Sequence, residues 1–167
     1  MNAPMILVFP ALMAYAAFSD LFTMTISNWI SLLLVAAFVG VALLAGMPVS
    51  LIGLHLACGL GVLVLTFALF CRGWIGGGDA KLAATTAVWM GFEHLAEYGM
   101  GAALIGGALT LAILQFRQWP LPGWARARVW IARLHAKDHG VPYGVALAAA
   151  GLALYPETGV FLRALGA

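Results

Sequence analysis

Charge is scarce in this sequence. Charged residues make up 8% of the 167 residues, and none occurs between Asp20 and Arg72. Soluble domains carry roughly 25% charged residues, so the composition argues against a soluble protein. Hydrophobic residues make up 64% and the mean hydropathy is +1.03, which predicts an integral membrane protein. The formal net charge of +2 is too small to indicate nucleic acid as a partner.

Metal-binding residues are scarce too. The sequence has two cysteines, Cys58 and Cys71, both in hydrophobic segments and without a CxxC spacing. This pattern argues against a disulfide framework or a zinc site and is typical of buried cysteines. His135 and His139 are four residues apart, a spacing that can bind a metal, but no third ligand is evident. We therefore expect no metal and no other cofactor.

Long uncharged runs divide the sequence into membrane spans. A span needs about 20 apolar residues, and the runs break at short polar or Gly/Pro-containing segments. The predicted spans cover residues 1–19, 28–46, 50–71, 79–92, 98–116 and 141–162. No basic segment precedes the first span, which argues against a cleaved signal peptide. We predict an all-α polytopic membrane protein, with a single transmembrane domain over residues 1–167 that forms a bundle of about six helices.

The basic residues predict the orientation. The segment 117–140 holds five of the eight lysines and arginines, and the positive-inside rule places such a segment in the cytoplasm. Counting the spans backwards puts the loops 20–27 and 72–78 on the same side. Asp20 and Asp79 are therefore both predicted at the cytoplasmic face. Three tryptophans alternate with the arginines of the segment, which predicts a short amphipathic helix on the membrane surface.

Asp20 and Asp79 are isolated carboxylates at the ends of predicted membrane helices. Ionisable groups at membrane depth are rarely without a function. Two carboxylates a few ångströms apart share a proton, and together they can activate a water molecule to attack an amide. The sequence therefore predicts an aspartyl protease dyad. The alternative for Asp79 is an aspartate that only caps a helix.

The residues around Asp79 fit this chemistry. Gly76, Gly77 and Gly78 let the backbone adopt positive φ angles, and they leave it open to a substrate strand because they present no side chains. A flexible loop between helices is the alternative. Lys81 follows Asp79 by two residues, and two roles stay open for it. Its ammonium group either extends to lipid headgroups or acts on the dyad or on a substrate carbonyl.

Three segments resemble the type IV prepilin leader peptidases, a family of membrane aspartyl proteases with a Gly-x-Gly-Asp motif. Segment 20–28 (DLFTMTISN) is similar to the region of the family's first aspartate, although Ser27 stands in place of a proline. Segment 76–82 (GGGDAKL) is similar to the second-aspartate motif, and segment 141–146 (VPYGVA) to the start of the last helix. The resemblance implies two catalytic aspartates and a supporting set around them. These residues are Asp20 and Asp79, with Gly76, Gly77, Gly78, Lys81 and Asn28 in support.

The resemblance also implies a substrate. Longer family members carry paired CxxC motifs and methylate the new amino terminus. The motifs are absent here, so the chain resembles the peptidase-only branch, which processes Flp-type pilins of tight-adherence systems without S-adenosylmethionine. The implied substrate is a prepilin or pseudopilin with a basic leader and one hydrophobic helix. We expect cleavage after a glycine at the cytoplasmic face of the bacterial inner membrane. The lipid bilayer is then a partner of the protein as well. Whether pilus assembly machinery is a partner stays open.

Three rival functions stay open beside this one. Signal-peptide-peptidase-like proteases share the Gly-x-Gly-Asp element but pair it with Tyr-Asp and a later Pro-Ala-Leu. Asp20 follows a serine, and no Pro-Ala-Leu occurs after Asp79. The second rival is a small transporter or channel subunit that uses the two aspartates for proton or cation passage, and the third is a catalytically silent assembly factor. Of the other polar residues, we interpret His55 as an interhelical hydrogen-bonding residue and the 93–97 cluster as a surface turn.

Overall fold

The computed structural model describes residues 3–166 and forms them mainly into helices. These are α1 (Ala3–Thr23), α2 (Asn28–Leu44), α3 (Val49–Cys71), α4 (Gly77–Met90), α5 (Leu95–Phe116), α6 (Gly123–Arg126), α7 (Val129–His135), α8 (Tyr143–Leu154) and α9 (Gly159–Leu165), with a 3-10 turn at Tyr155–Glu157. No β-strand occurs among the residues described. The all-α prediction is confirmed. The predicted start of the first span at Met1 lies outside the described residues.

Three helices, α1, α3 and α5, are long and apolar enough to cross a membrane, and α8 with α9 makes a fourth if the bent pair is one span. The apolar helix α2 has 17 residues and α4 has 14. At 1.5 Å per residue, α4 is only about 21 Å long, shorter than the roughly 30 Å hydrocarbon core. A polytopic membrane protein is confirmed, whereas the number of six spans stays a prediction.

The last predicted span, over residues 141–162, is not one continuous helix but a bent pair of helices. Helix α8 ends at Leu154, and α9 begins after a bend of 52°. Pro156 lies in the intervening 3-10 turn, where its missing N–H and its ring prevent the helix from continuing. Thr158 then starts α9 as its N-cap, accepting a hydrogen bond from the Phe161 N–H at 3.3 Å.

Helix α4 occupies the centre of the bundle and packs against α2, α3, α5 and α8. All residues from 84 to 90 are buried. Trp89 is fully buried, and its indole N–H donates to the Leu34 carbonyl at 3.0 Å. Its ring packs against Phe9 at 4.9 Å and Phe38 at 5.6 Å between centroids. These contacts fix the depth and rotation of α4, and therefore the position of Asp79 in its first turn.

One end of the bundle, called here the aspartate end, collects the last turn of α1 and the first turns of α4 and α8. The Gly144 amide of α8 reaches Asp20 of α1. The basic segment lies at this end as well, because Arg133 donates to the Phe22 carbonyl at 3.1 Å and Trp130 packs edge-on against the Phe22 ring at 5.2 Å. The segment forms the two short helices α6 and α7 rather than one. Its proximity to the aspartates agrees with the sequence prediction.

Candidate active site

Asp20 lies in the last turn of α1 and is 5% exposed. Its Oδ2 atom accepts a hydrogen bond from the Gly144 N–H at 2.7 Å. Gly144 is the second residue of α8, and the amino end of a helix carries unpaired N–H groups and a partial positive charge that favour an anion. The carboxylate of α1 is therefore held by the amino terminus of α8.

The chain turns back immediately after Asp20. Met24 has a φ of 55° and is the one non-glycine residue among those described with a positive φ. Its N–H donates to the Asp20 carbonyl at 2.8 Å, and the Ser19 hydroxyl donates to the Thr25 carbonyl at 2.8 Å. A left-handed residue without glycine is uncommon and needs such support. The turn brings Thr25 and Ile26 back beside the Asp20 carboxylate.

Asp79 lies in the first turn of α4, which Gly76 caps, and it is partly buried. The three glycines do not use the positive φ angles open to them: Gly76 has a φ of −72°, and neither Gly77 nor Gly78 is in the positive range. Their small size has another use, because a Cβ on each would crowd a neighbour. The distances would be 3.0 Å from Gly76 to Asp79 Oδ2, 3.2 Å from Gly77 to Phe70, and 3.2 Å from Gly78 to Ile26.

Asp20 and Asp79 line the same cavity, which has a volume of about 250 Å³. Its other lining residues are Met24, Thr25, Ile26, Gly76, Gly77 and Gly78. Two like charges in one small cavity favour a state in which the pair shares a proton. The structure thus brings together the two aspartates and the three glycines that the sequence singled out.

Lys81 and Asn28 belong to a different surface. The Lys81 ammonium donates to the Asn28 Oδ1 atom at 2.7 Å. Both residues line a larger groove of about 700 Å³ between α2, α3 and α4, whose lining does not include either aspartate. Within the part of the chain described, Lys81 makes no hydrogen bond or ion pair with Asp20 or Asp79. The predicted site residues therefore fall into two neighbouring groups.

Gly144 is a site residue that the sequence analysis did not assign. A Cβ at this position would lie 2.7 Å from Asp20 Oδ2 and 2.7 Å from Ile26 Cδ1. The residues before it hold the helix start in place: Pro142 is buried, and the Tyr143 hydroxyl donates to the Ala102 carbonyl at 3.1 Å. The Pro-Tyr-Gly sequence was the available signal. Only the packing of α8 against α1 shows why a glycine is needed.

The other polar residues lie away from the cavity. His55 Nδ1 lies 2.8 Å from the Val88 carbonyl oxygen, which confirms the predicted interhelical hydrogen bond. His94 Nδ1 lies 2.9 Å from Glu97 Oε2. A side-chain atom able to bind a metal from each of His94, Glu97 and Glu157 lies within 4.8 Å of the other two. Both glutamates are exposed, and the hydrogen bond to Glu97 raises the pKa of His94. His94 lies in the turn before α5, whereas Glu97 lies in the first turn of α5 and Glu157 in the 3-10 turn Tyr155–Glu157. The surface-turn interpretation therefore fits Glu93 and His94, while Glu97 is already helical.

His135 and His139 have separate neighbours. His135 Nε2 lies 2.9 Å from the Trp119 carbonyl oxygen, whereas His139 Nδ1 lies 3.2 Å from Asp138 Oδ1. Each imidazole therefore has a protein partner of its own. His139 is exposed, whereas His135 is the last residue of α7 and is half-buried.

The fold and the site together define a helical membrane protein with a carboxylate pair in a small cavity at one end of its bundle. Residues 7–111, more than half of the chain, match the type IV leader peptidase family. The chain belongs to that family and is therefore a protease of the leader-peptidase type. The matched range contains Asp20 and Asp79 but ends before Gly144. No curated protein and no solved structure matches the chain.

Proposed function

We propose that this protein is a prepilin peptidase that uses Asp20 and Asp79 to remove the leader of type IV prepilins or pseudopilins. The observation that carries the proposal is that both carboxylates line one cavity of about 250 Å³. The two aspartates belong to different helices and are 59 residues apart in the sequence. A helix-capping role for Asp79 alone would not require Asp20 beside it.

The proposed reaction is hydrolysis of a peptide bond by a water molecule held between the carboxylates. The ionised carboxylate takes a proton from the water as its oxygen attacks the carbonyl carbon. The protonated carboxyl group donates a hydrogen bond to the carbonyl oxygen. The C–N bond then breaks, and a proton passes from the pair to the leaving amine, so that a carboxylic acid and an amine are formed. The Gly144 N–H fixes the orientation of Asp20 during these steps.

The location of the cavity supports the proposed substrate class. The carboxylates lie at the end of the bundle that also carries the basic segment 117–140, which Arg133 ties to α1. A prepilin has a basic leader on the cytoplasmic side and then a hydrophobic helix, so its scissile bond meets the membrane surface. The positive-inside rule supports a cytoplasmic location for the aspartate end, and the proposal includes the bacterial inner membrane as its site. The motif resemblance supports the peptidase-only branch and a Flp-type substrate.

The rival from another class is a proton or cation pathway. Carboxylates in such a pathway are expected at successive depths in the membrane. Here Asp20 and Asp79 lie in one cavity at one end, within reach of the glycines that leave room for a peptide backbone. The geometry therefore favours hydrolysis over transport.

Co-expression with a Flp-type prepilin tests the proposal. The wild-type protein is expected to shorten the prepilin, and amino-terminal sequencing of the product is expected to show cleavage directly after a glycine. A panel of prepilins that stays uncleaved beside well-inserted protein would contradict the proposed function. That outcome would favour the transporter or the silent assembly factor.

A further inference from the structure

A wide groove lies beside the candidate active site. Helices α2 and α3 are joined by a short loop, and both pack against α4, yet they barely contact each other. The space between them is the groove of about 700 Å³. Leu32 and Val35 of α2 form one wall, Val64 and Phe67 of α3 the other, and Ala84 lies on α4 between them. These side chains make the groove apolar along most of its length.

The groove has polar groups where its lining helices approach the aspartate end. Lys81 is the only charged residue in its lining, and its ammonium group is paired with Asn28 at 2.7 Å. Ser31 lies about one turn further along α2 and is 8% exposed, and its hydroxyl has no hydrogen-bond partner among the described residues. From Asn28 to Val35 the axis of α2 rises about 10 Å, so the groove matches roughly two turns of a helix.

Neighbouring residues of the same two segments line the groove and the cavity. Asp79 faces the cavity and Lys81 the groove, because residues two apart on a helix point about 200° apart. Ile26 lines the cavity and Asn28 the groove. The route between them passes around the amino end of α4, where the glycines present no side chains. An extended peptide covers about 3.3 Å per residue, so about four residues span the roughly 10–12 Å diameter of a helix.

We propose that this groove binds the first two turns of the substrate's hydrophobic helix, with an extended linker running from there to the carboxylate pair. The inference rests on the proposed function. Lys81 donates hydrogen bonds to carbonyl groups of the linker, and the Asn28 Oδ1 atom accepts from the free N–H groups that begin the substrate helix. The apolar walls bind its side chains. The groove thus sets which bond reaches the aspartates, by fixing where the helix begins.

A phospholipid is the other candidate occupant, because it also combines a polar end with an apolar body. Two features favour a peptide helix. Ala84, which lies on α4 between the walls, is small and buried, which allows close helix packing. Lys81 and Asn28 at the polar end are each two residues from a residue that lines the cavity, where a peptide has to be cut, and a lipid has no reason to extend there.

Photo-crosslinking from two adjacent leucines tests the proposal. Leu32 is 59% exposed and lines this groove, whereas Leu33 is 51% exposed and lines a separate apolar groove of about 420 Å³ between α1 and α2. A photoreactive amino acid is placed at either position in an Asp79→Asn background and co-expressed with the prepilin. We expect adducts with the prepilin helix from position 32 and no such adducts from position 33. Equal labelling from both positions, or adducts of position 32 with lipid alone, would overturn the inference.

A kinetic comparison of Leu32→Trp with Leu33→Trp gives the second readout. Leu32→Trp is expected to raise KM for the whole prepilin while leaving unchanged the cleavage of a short peptide that ends before the hydrophobic helix. Leu33→Trp is expected to change neither. An unchanged KM for the whole prepilin in folded Leu32→Trp, or an equal rise in KM in Leu33→Trp, would contradict a helix-binding role for position 32.

The two proposals fail in distinguishable ways. If the wild-type protein cleaves no prepilin, the proposed function and this inference both fall. If the wild-type protein cleaves the prepilin but Leu32 and Leu33 behave alike in both experiments, the inference alone is refuted.

Discussion

Gly144→Ala is a small change with a large expected effect on cleavage. The added Cβ would lie 2.7 Å from both Asp20 Oδ2 and Ile26 Cδ1, about 0.8 Å closer than the roughly 3.5 Å of a comfortable carbon contact. Either Asp20 or α8 has to move by a comparable distance, which breaks or lengthens the 2.7 Å hydrogen bond. A hydrogen bond to a charged group contributes about 1.5–3 kcal/mol. At about 1.36 kcal/mol per tenfold in rate, the expected loss of kcat/KM is roughly 10- to 100-fold.

The assay measures cleavage of one prepilin by the purified protein in detergent, normalised to the amount of folded enzyme. Gly107→Ala is the matched control, because a Cβ there meets nothing within 4 Å and alanine favours a helix over glycine by about 1 kcal/mol. Gly151→Ala controls for packing in α8. Its Cβ would meet Thr86 at 2.9 Å, away from the aspartates, so it should lower thermal stability more than activity.

The reasoning about Gly144 is refuted if Gly144→Ala cleaves as fast as Gly107→Ala while both accumulate to the same level. An equal loss in Gly151→Ala and Gly144→Ala, after normalisation, would also refute it. In that case the defect would come from general packing of α8 and not from the orientation of Asp20.

Three further predictions concern other positions. Gly76→Ala would place a Cβ 3.0 Å from Asp79 Oδ2, so prepilin cleavage should fall several-fold with little change in melting temperature; an unchanged rate would contradict a tight fit there. Gly91→Ala should destabilise the protein by more than about 1 kcal/mol, because φ is +67° and the new Cβ would lie 2.7 Å from the His55 ring. Reversible unfolding measures this loss, and a free energy of unfolding equal to that of the wild-type protein would contradict it. The hydrogen bond to Glu97 raises the pKa of His94, so the contribution of His94 to stability is complete below about pH 6.5 and is lost as pH rises through the raised value. The difference in melting temperature between the wild-type protein and His94→Gln should therefore shrink as pH rises. A difference that stays constant with pH would contradict the ion pair.

The sequence was sufficient to predict the helical membrane class and the meeting of Asp20 with Asp79. Scarce charge fixed the class, and the position of the basic segment placed both aspartates at one end. These are properties of the chain as a solute in a bilayer, and they depend little on how side chains pack. The shared cavity confirms that the two residues meet.

The details of the site depend on packing that the sequence does not reveal. Gly144 contacts Asp20 across 124 residues of sequence, and no local pattern specifies that contact. The rotation of α4, which buried Trp89 helps to fix, decides that Asp79 faces the cavity while Lys81 faces the groove. From the sequence, Asp79 and Lys81 were assigned to one site, because the sequence shows that they are two residues apart but not which face of α4 each side chain occupies.

Two details of the structure had signals in the sequence that were outweighed by stronger ones. The apolar run through residues 141–162 obscured Pro156, which ends the helix by removing a backbone donor. The glycines before Asp79 suggested positive φ angles because glycine alone adopts them freely. In the structure, close approach to Asp79, Phe70 and Ile26 explains these glycines instead.

Cleavage by single-aspartate variants tests the central claim most directly. Asp20→Asn and Asp79→Asn are each reconstituted with a prepilin that the wild-type protein cleaves, and the product is identified by amino-terminal sequencing. Membrane insertion and melting temperature are measured in parallel. The account predicts that each variant inserts normally and yields no cleaved pilin, because a neutral amide cannot replace either member of a proton-sharing pair. Cleavage at the wild-type site by either variant would contradict the assignment of these two carboxylates as the catalytic pair.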